Sequence, residues 1–387
     1  MTTAASPRVM FVFHSAHPSG GNLWLQKLLL EGPFRPEQCI AVLPGESSLE
    51  ADLVAAGIEC HTLALIEQAM NEAHGTKRLE LARSKMRYFT EFRALVQKNR
   101  PDVVYVNSGV QILPGLAAAR EKIPIVWHIK EGWGSGAAFA VKRTAVRRCA
   151  DALLFDSAAG LRLYEPIPKG KSATVVPNGV SEELATRREQ RAVLRARYGW
   201  AADQFILLFV GSIVQRKGVH DLLQVWEELA PLFPSGRLMI VGPKDANEHH
   251  PRLTNFESQL PPSTTYLGFR KDAQDLIAAA DLFVLPSYGE AMPISISEAM
   301  MIGCPVVARN VADVPFQIGE GRGFLFRGDG PDPLRAALKE ALESQAERDL
   351  RAESARAFAR EHLTWTAHCE LIRSVVDQTA RRGKSVS

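Results

Sequence analysis

The chain has 387 residues, 46% hydrophobic and 23% charged, which exceeds one ordinary core and has the balance of a globular protein, so two domains are expected. It contains no stretch of 18 apolar residues and no basic-then-apolar amino-terminal signal, and its five cysteines (Cys39, Cys60, Cys149, Cys304, Cys369) are widely spaced with no Cys-x-x-Cys; a membrane span, a disulfide framework and a structural zinc are not expected, and a cytoplasmic chain with reduced thiols is. The net charge of +3 is uneven, with 21 Lys/Arg against 16 Asp/Glu in residues 1–180 and 25 against 27 in residues 181–387.

In the first half, apolar runs predict strands at residues 9–13, 39–43, 103–106, 125–129 and 152–155, and helical periodicity predicts helices at 23–30, 49–56, 77–98 and 115–121. Such alternation predicts a parallel sheet covered on both faces. After the first strand, Ser19-Gly20-Gly21-Asn22 precedes a helix, and glycine there lets backbone approach a ligand closely. Residues 77–100 hold eight basic and two acidic residues, with Leu79, Met86, Phe89 and Val96 recurring at helical spacing. An amphipathic helix is expected, those four toward the core and a basic face outward. That basic face, extended by Lys142, Arg143, Arg147 and Arg148, also suits peripheral contact with anionic lipid.

Two strand ends in this half carry polar residues, Asn107-Ser108 and His128-Ile129-Lys130-Glu131. Next, Gly132-Trp133-Gly134-Ser135-Gly136-Ala137 satisfies the Gly-x-Gly-x-x-Ala dinucleotide fingerprint. Asp156 follows roughly 20 residues on, where a ribose-binding acid would stand. After Val176-Pro177-Asn178-Gly179-Val180 the pattern lapses, and the charged residues 181–199 read as lying between the halves.

The scheme restarts with strands predicted at 205–210, 237–241, 265–267, 282–285, 305–308 and 323–326, and helices at 219–230, 273–280, 294–301 and 333–344. A helical tail over 355–378 and a disordered end from 381 are expected. The first of these strands ends in Gly211-Ser212-Ile213-Val214-Gln215-Arg216-Lys217-Gly218, a glycine-flanked cationic loop suited to a diphosphate. The strand at 282–285 runs through Pro286-Ser287-Tyr288-Gly289-Glu290-Ala291-Met292-Pro293 into a helix that Pro293 can start and Gly303 can end. Glu290 therefore stands in a loop at a strand's carboxyl edge and Glu298 inside the helix. In a doubly wound sheet ligands bind at that edge, and a helix amino end suits phosphate.

Together, Gly-Ser-x-x-x-Arg-Lys-Gly at 211–218, Val241-Gly242-Pro243, Gly268-Phe269, and Pro-Ser-x-x-Glu-x7-Glu-Ala-Met-x-x-Gly-x-Pro-Val-Val at 286–307 resemble glycosyltransferase family 4. The resemblance is nearly continuous over the second half and weaker over the first. It implies an α/β chain of GT-B architecture, two Rossmann-like doubly wound domains facing across a cleft. Residues 1–180 would be the acceptor side, 181–358 the nucleotide-sugar donor domain, and 359–387 a terminal helix and tail packing back on the first domain.

The same resemblance implies that Glu290 bonds a hydroxyl of the donor sugar, with Met292, Pro293 and Ile294 presenting backbone to sugar and phosphate. Glu298 would bind the ribose, Arg216 and Lys217 the diphosphate, and Phe269 and Arg270 would flank the base. Gly211 and Ser212 belong to the donor loop; many members have Arg where Ser212 stands, and Arg216 would take over its work. In the first half, Gly20 and Gly21 would lie beside phosphate and acceptor together with Asn22. Asn107 would contact the acceptor, His128 would aim at the sugar near the reacting carbon, and Glu131 would be either an acceptor contact or a helix-start charge.

The expected protein is a metal-independent, retaining glycosyltransferase that moves a hexose-type sugar from a nucleotide diphosphate to a hydroxyl of a glycan, a lipid-linked sugar or a small metabolite. UDP is favoured because uracil needs few side-chain contacts, and no cofactor is expected. No Asp-x-Asp pair occurs to hold a divalent ion, and His249-His250, His14, His17, His61 and His74 lack ligand spacing. A sugar phosphorylase, a nucleotide-sugar epimerase and a non-catalytic carbohydrate binder are the alternatives within the architecture. From another class, the Gly132–Ala137 loop would make an NAD-dependent dehydrogenase, although that fingerprint normally follows a domain's first strand. A glycosidase would not require the cationic loop, and nucleic-acid binding lacks an aromatic platform or recognised module.

Overall fold

A computed structural model describes residues 6–16, 20–64, 76–131, 134–245 and 248–386. The chain divides into two compact units, residues 1–176 with 369–387, and residues 177–368. Among the described residues, unit one carries strands β1 (Val9–Val12), β2 (Cys39–Leu43), β3 (Glu59–Thr62), β4 (Val103–Asn107), β5 (Ile125–Ile129), β6 (Ala152–Phe155) and β7 (Ser172–Val175). They pair in parallel in the order β3-β2-β1-β4-β5-β6-β7. Its helices are α1 (Gly20–Glu31), α2 (Glu50–Ala55), α3 (Thr76–Asn99), α4 (Leu113–Arg120), α5 (Gly136–Cys149) and α6 (Ala158–Tyr164).

The inner strands are the apolar runs legible in the sequence, and every residue of β1, β2, β4, β5 and β6 is buried, as strands covered on both faces must be. The strands that sequence reasoning missed, β3 and β7, are the two edges. Glu-Cys-His-Thr and Ser-Ala-Thr-Val contain no apolar run, because an edge is partly open to water. Helix α1 begins at Gly20, so the Gly20-Gly21 pair forms its first turn instead of a loop before it; Ser19 lies outside the described residues.

Helix α3 corrects the expected orientation. Leu81, Tyr88, Phe92, Leu95 and Val96 are the buried stripe, whereas Leu79 is 54% exposed and Met86 65% exposed. Of the four residues expected to face the core, Val96 does so, Phe89 is half-buried, and the other two face solvent.

In unit two, β8 (Phe205–Val210), β9 (Gly236–Val241), β10 (Thr264–Tyr266), β11 (Leu282–Leu285), β12 (Val306–Arg309) and β13 (Phe324–Phe326) pair in parallel in the order β10-β9-β8-β11-β12-β13. The helices are α7 (Arg191–Arg197), α8 (Val219–Leu229), α9 (Pro251–Thr254), α10 (Ala273–Ala279), α11 (Ile294–Ile302), α12 (Val314–Ile318), α13 (Pro331–Glu343) and α14 (Gln345–His362). The charged segment 181–199 is not a loose connector. Leu184 and Leu194 enter the core, and Arg187 and Arg195 pair with Asp275 at 2.6 Å and Asp281 at 3.0 Å.

The tail is two helices, α14 and α15 (Trp365–Val386). They break where Val180 N–H donates to Leu363 O at 2.9 Å and Trp365 N–H to Val180 O at 2.8 Å. Helix α15 continues to Val386, so the disorder expected from residue 381 is not found over 381–386. Within unit one, Arg373 of α15 donates to Pro33 O at 2.8 Å and covers the Phe34 ring. In both sheets the chain order reverses beside the first strand, at β1/β4 and β8/β11, the position where doubly wound sheets open a crevice for ligands. The candidate residues lie at the carboxyl ends of these strands.

Candidate active site

In unit two, the loop after β8 tightens into a 3-10 turn at Gln215–Lys217 and passes through Gly218 at φ +69° into α8. A Cβ on Gly218 would lie 2.2 Å from Pro286 O, so only glycine lets this loop press against the end of β11. Tyr288 N–H donates to Arg216 O at 2.8 Å and Arg216 donates to Gly289 O. The two loops are thereby locked, and their charges meet: Lys217 Nζ is 2.6 Å from Glu290 Oε1 and Arg216 Nη1 is 3.9 Å from Glu290 Oε2. Glu290 is 8% exposed while Arg216 remains exposed. The structure thus brings together the cationic loop and the first glutamate, 73 residues apart in sequence.

The segment from Ala291 to Pro293 is held from behind. Asn178 Nδ2 donates to Met292 O at 2.8 Å, Gln317 Nε2 to Pro293 O at 3.0 Å and to Ser297 Oγ at 2.9 Å, and Asp313 N–H to Ala291 O at 3.2 Å. With those carbonyls turned inward, the first turn of α11 from Ile294 keeps N–H groups without helical partners, a polar end suited to anions. Glu298, one turn further, accepts from Gln274 at 2.7 Å.

The edges of β8, β9 and β10 are capped by backbone in close approach. Gly242, at φ +145°, stands where a Cβ would come within 1.9 Å of Gly211 O, and its N–H donates to Gly268 O at 2.9 Å. Tyr266 OH donates to Gly242 O at 2.7 Å. Ser212 sits in this loop half-buried. Beyond Gly268, Phe269 is 63% exposed, whereas Arg270 forms a two-point pair with Asp272 at 2.8 and 2.6 Å. Those hydrogen bonds hold the Asp272 carboxyl down at about 2.

Three residues behind the site were missed. Arg309, at the end of β12, donates to Pro286 O at 3.1 Å and to Asp221 Oδ2 at 3.0 Å, and its guanidinium lies 3.9 Å from the Tyr288 ring centre. Tyr288 OH donates to the same Asp221 carboxylate. A charged residue closing an apolar strand was the available signal; Asp221, inside a helix of mixed composition, gave none.

In unit one, the predicted residues have structural partners. Asn22 is fully buried and fixes the chain after β1 by donating to Ser15 O at 2.7 Å and Ser15 Oγ at 2.9 Å. Asn107 donates to Gly21 O at 3.1 Å, which joins the end of β4 to the first turn of α1. Glu131 accepts from Ser108 OH and from Gly109 N–H at 3.0 Å, clamping a loop in which Ser108 adopts φ +88°.

His128 is 0% exposed, so the expectation that its ring faces a sugar is not met in this arrangement. Its Nδ1 is 2.5 Å from Tyr105 OH, its Nε2 is 2.7 Å from Asp156 Oδ1, and the Trp24 ring packs edge-on at 5.0 Å. Lys130 Nζ reaches the same Asp156 oxygen at 3.0 Å and lies 3.2 Å above the Trp24 ring. Burial, then the Lys130 charge, pushes the imidazole down to about 4. Burial alone would raise Asp156, but the neighbouring Lys130 and His128 hold it below the usual carboxylate range. This pairing leaves the dinucleotide alternative without its ribose acid, since Asp156 is 5% exposed and engaged. Gly132 and Trp133 of that fingerprint, like His17 and His74, lie outside the described residues.

Residues 204–344 match the family described as Glycosyl transferases group 1. The alpha-galactosylglucosyldiacylglycerol synthase of Streptococcus pneumoniae is 32% identical over 211 residues, 51% of this chain and 54% of that protein. The D-inositol 3-phosphate glycosyltransferase of Streptomyces scabiei is 33% identical over 211 residues, 50% of this chain and 47% of that protein. The chain spans about half the length of the curated relatives it matches. Anabaena HepE, solved in complex with UDP, superposes with a TM-score of 0.79 at 20% identity, covering 96% of this chain and all of that one (100%). WaaG, a glycosyltransferase of lipopolysaccharide biosynthesis, gives 0.71 at 18%, covering 95% and 99%. At such identities the likeness is one of fold. The chain is thus of GT-B fold with two Rossmann-like units, and its residues 204–344 match the group 1 glycosyltransferase family, the segment that also carries the resemblance to family 4.

Proposed function

We propose that the protein is a retaining glycosyltransferase that takes a hexose-type sugar from a nucleoside diphosphate, UDP in the first instance, and transfers it to a hydroxyl acceptor without a metal ion. The observation that carries this reading is the contact of Lys217 with Glu290 at 2.6 Å, beside the exposed Arg216 and the amino end of α11. The two cations and the helix end together supply positive charge where a diphosphate leaves, doing electrostatically what a divalent ion does elsewhere. Glu290 stands next to them as the acceptor for a sugar hydroxyl, and Met292, Pro293 and Ile294 offer backbone to sugar and phosphate. Glu298 takes the ribose, and the exposed Phe269 with Arg270 flanks the base.

HepE has been solved with UDP and with UDP-glucose, which supports UDP as the first donor to test. In unit one, Gly20, Gly21, Asn107 and Glu131 shape the backbone around the acceptor, and His128 supports it from within the core. Among the described residues of unit two, no side chain is assigned the part of a covalent nucleophile. The reading is attack of the acceptor oxygen from the leaving-group face, its proton passing to a phosphate oxygen as the sugar–phosphate bond breaks.

The test is calorimetric titration with UDP and GDP, followed by incubation with a panel of nucleotide sugars and mass-spectrometric detection of slow donor hydrolysis. Binding of one nucleotide, lost in Lys217→Met, is expected. Sugar phosphate released on adding inorganic phosphate would make the protein a phosphorylase instead.

A further inference from the structure

The second apolar stripe of α3 faces outward, and it is one part of a larger face. On either side of α4 runs an open groove of 490 Å³. One is lined by Met86 and Phe89 of α3 with Leu113 and Leu116 of α4, the other by Leu116 with Val141 and Ala145 of α5. Met86 is 65% and Val141 67% exposed, an unusual position for large apolar side chains on the two helices that flank α4. The charged residues that line these grooves are Lys85, Arg120 and Arg148, all basic. Helix α5 itself contains four bases and no acid.

We infer that this three-helix face of unit one docks on the surface of an anionic lipid bilayer. Apolar side chains flanked by long basic ones are what an interface-bound surface requires: methyl and thioether groups enter the headgroup boundary while Lys and Arg stems lie along it with their charges at the phosphates. The charge decides against a second copy of the chain as occupant, because a self-complementary contact would set Lys85, Arg120 and Arg148 against themselves. An anionic bilayer neutralises all three, and its attraction falls off within a Debye length. The inference does not rest on the donor-site reading, since every residue in it lies in unit one.

The test is co-sedimentation of the full chain with phosphatidylcholine vesicles, and with the same vesicles containing phosphatidylglycerol, at low and high salt. Three forms are compared: the unaltered chain, the pair Met86→Asp with Val141→Asp, and the pair Lys85→Glu with Arg148→Glu. All four altered side chains line the outward grooves, so folding, read by the melting curve, should hold. Binding to the anionic vesicles alone, weakened by salt and about tenfold or more by either pair, is the expected result. Failure to bind anionic vesicles at low salt overturns the inference, as does binding that neither pair weakens. A dimer in solution that the Asp pair dissociates would assign the face to a second copy and overturn it equally. UDP titration of the same preparations separates the two readings: intact nucleotide binding without vesicle binding sinks this inference alone.

Discussion

Asp221 and Arg309 form an ion pair of 3.0 Å in the interior of unit two, their side chains 6% and 3% exposed. The pair stands directly behind the loop that carries Glu290, because Arg309 also holds Pro286 O and stacks on Tyr288. Burying two charges is costly in itself, so its worth lies in what it fixes. Arg309→Met leaves Asp221 buried without a counter-charge and should destabilise unit two by about 3–5 kcal/mol. Chemical denaturation measures this. A loss under 1 kcal/mol would mean that the pair is not structural.

Glu290→Gln keeps the size of the side chain and removes the charge that Lys217 faces at 2.6 Å. Donor turnover should fall by roughly 10²–10³, the scale for losing one aligned group at a reacting centre, with the melting temperature little changed. Mass-spectrometric turnover of the preferred nucleotide sugar checks it, and near-normal turnover would remove Glu290 from the site.

Gly242→Ala forces a Cβ into Gly211 O, 1.9 Å away, at a φ of +145° that side chains avoid. The backbone must move, and both glycine loops with it. A stability loss well above about 1 kcal/mol is expected, together with loss of UDP binding by titration. Gly268→Ala, which meets no atom within 4 Å but shares a positive φ of +67°, should cost about 1 kcal/mol and leave binding measurable.

His128 makes stability depend on pH. Its folded value of about 4 lies below the ordinary imidazole value of 6.5, so the unfolded chain binds the extra proton between those values. Stability is complete above 6.5 and falls as pH drops toward 4, by at most about 1.4 kcal/mol per pH unit from this group. Tyr105, Lys130, Asp156 and Trp24 face the ring, and Asp156 is itself held below the usual carboxylate range by Lys130 and His128. Melting curves between pH 7 and 4 should show the slope, and His128→Gln should flatten it. An unchanged slope in that variant would assign the acid sensitivity elsewhere.

The sequence by itself determined the inner strands of both sheets, helices α1 to α4, α8, α10, α11 and α13 between them, and the family resemblance that residues 204–344 carry. A strand buried on both faces must be an unbroken apolar run, and a loop that packs backbone on backbone must be glycine, so both leave marks in local composition. Only the tertiary structure decided the edges β3 and β7, whose residues need no apolar run, and the fate of segment 181–199, whose arginines find Asp275 and Asp281 some 80 to 90 residues away. It also decided which stripe of α3 is core: Leu79 and Met86 keep the helical period as well as Leu81 and Tyr88 do, and period fixes a face without saying what lies opposite it. His128 reads as a candidate ligand at a strand end until Tyr105, Asp156 and Trp24 close around it. Which neighbours a polar side chain meets depends on contacts far apart in sequence, and those exist only once the sheet has formed.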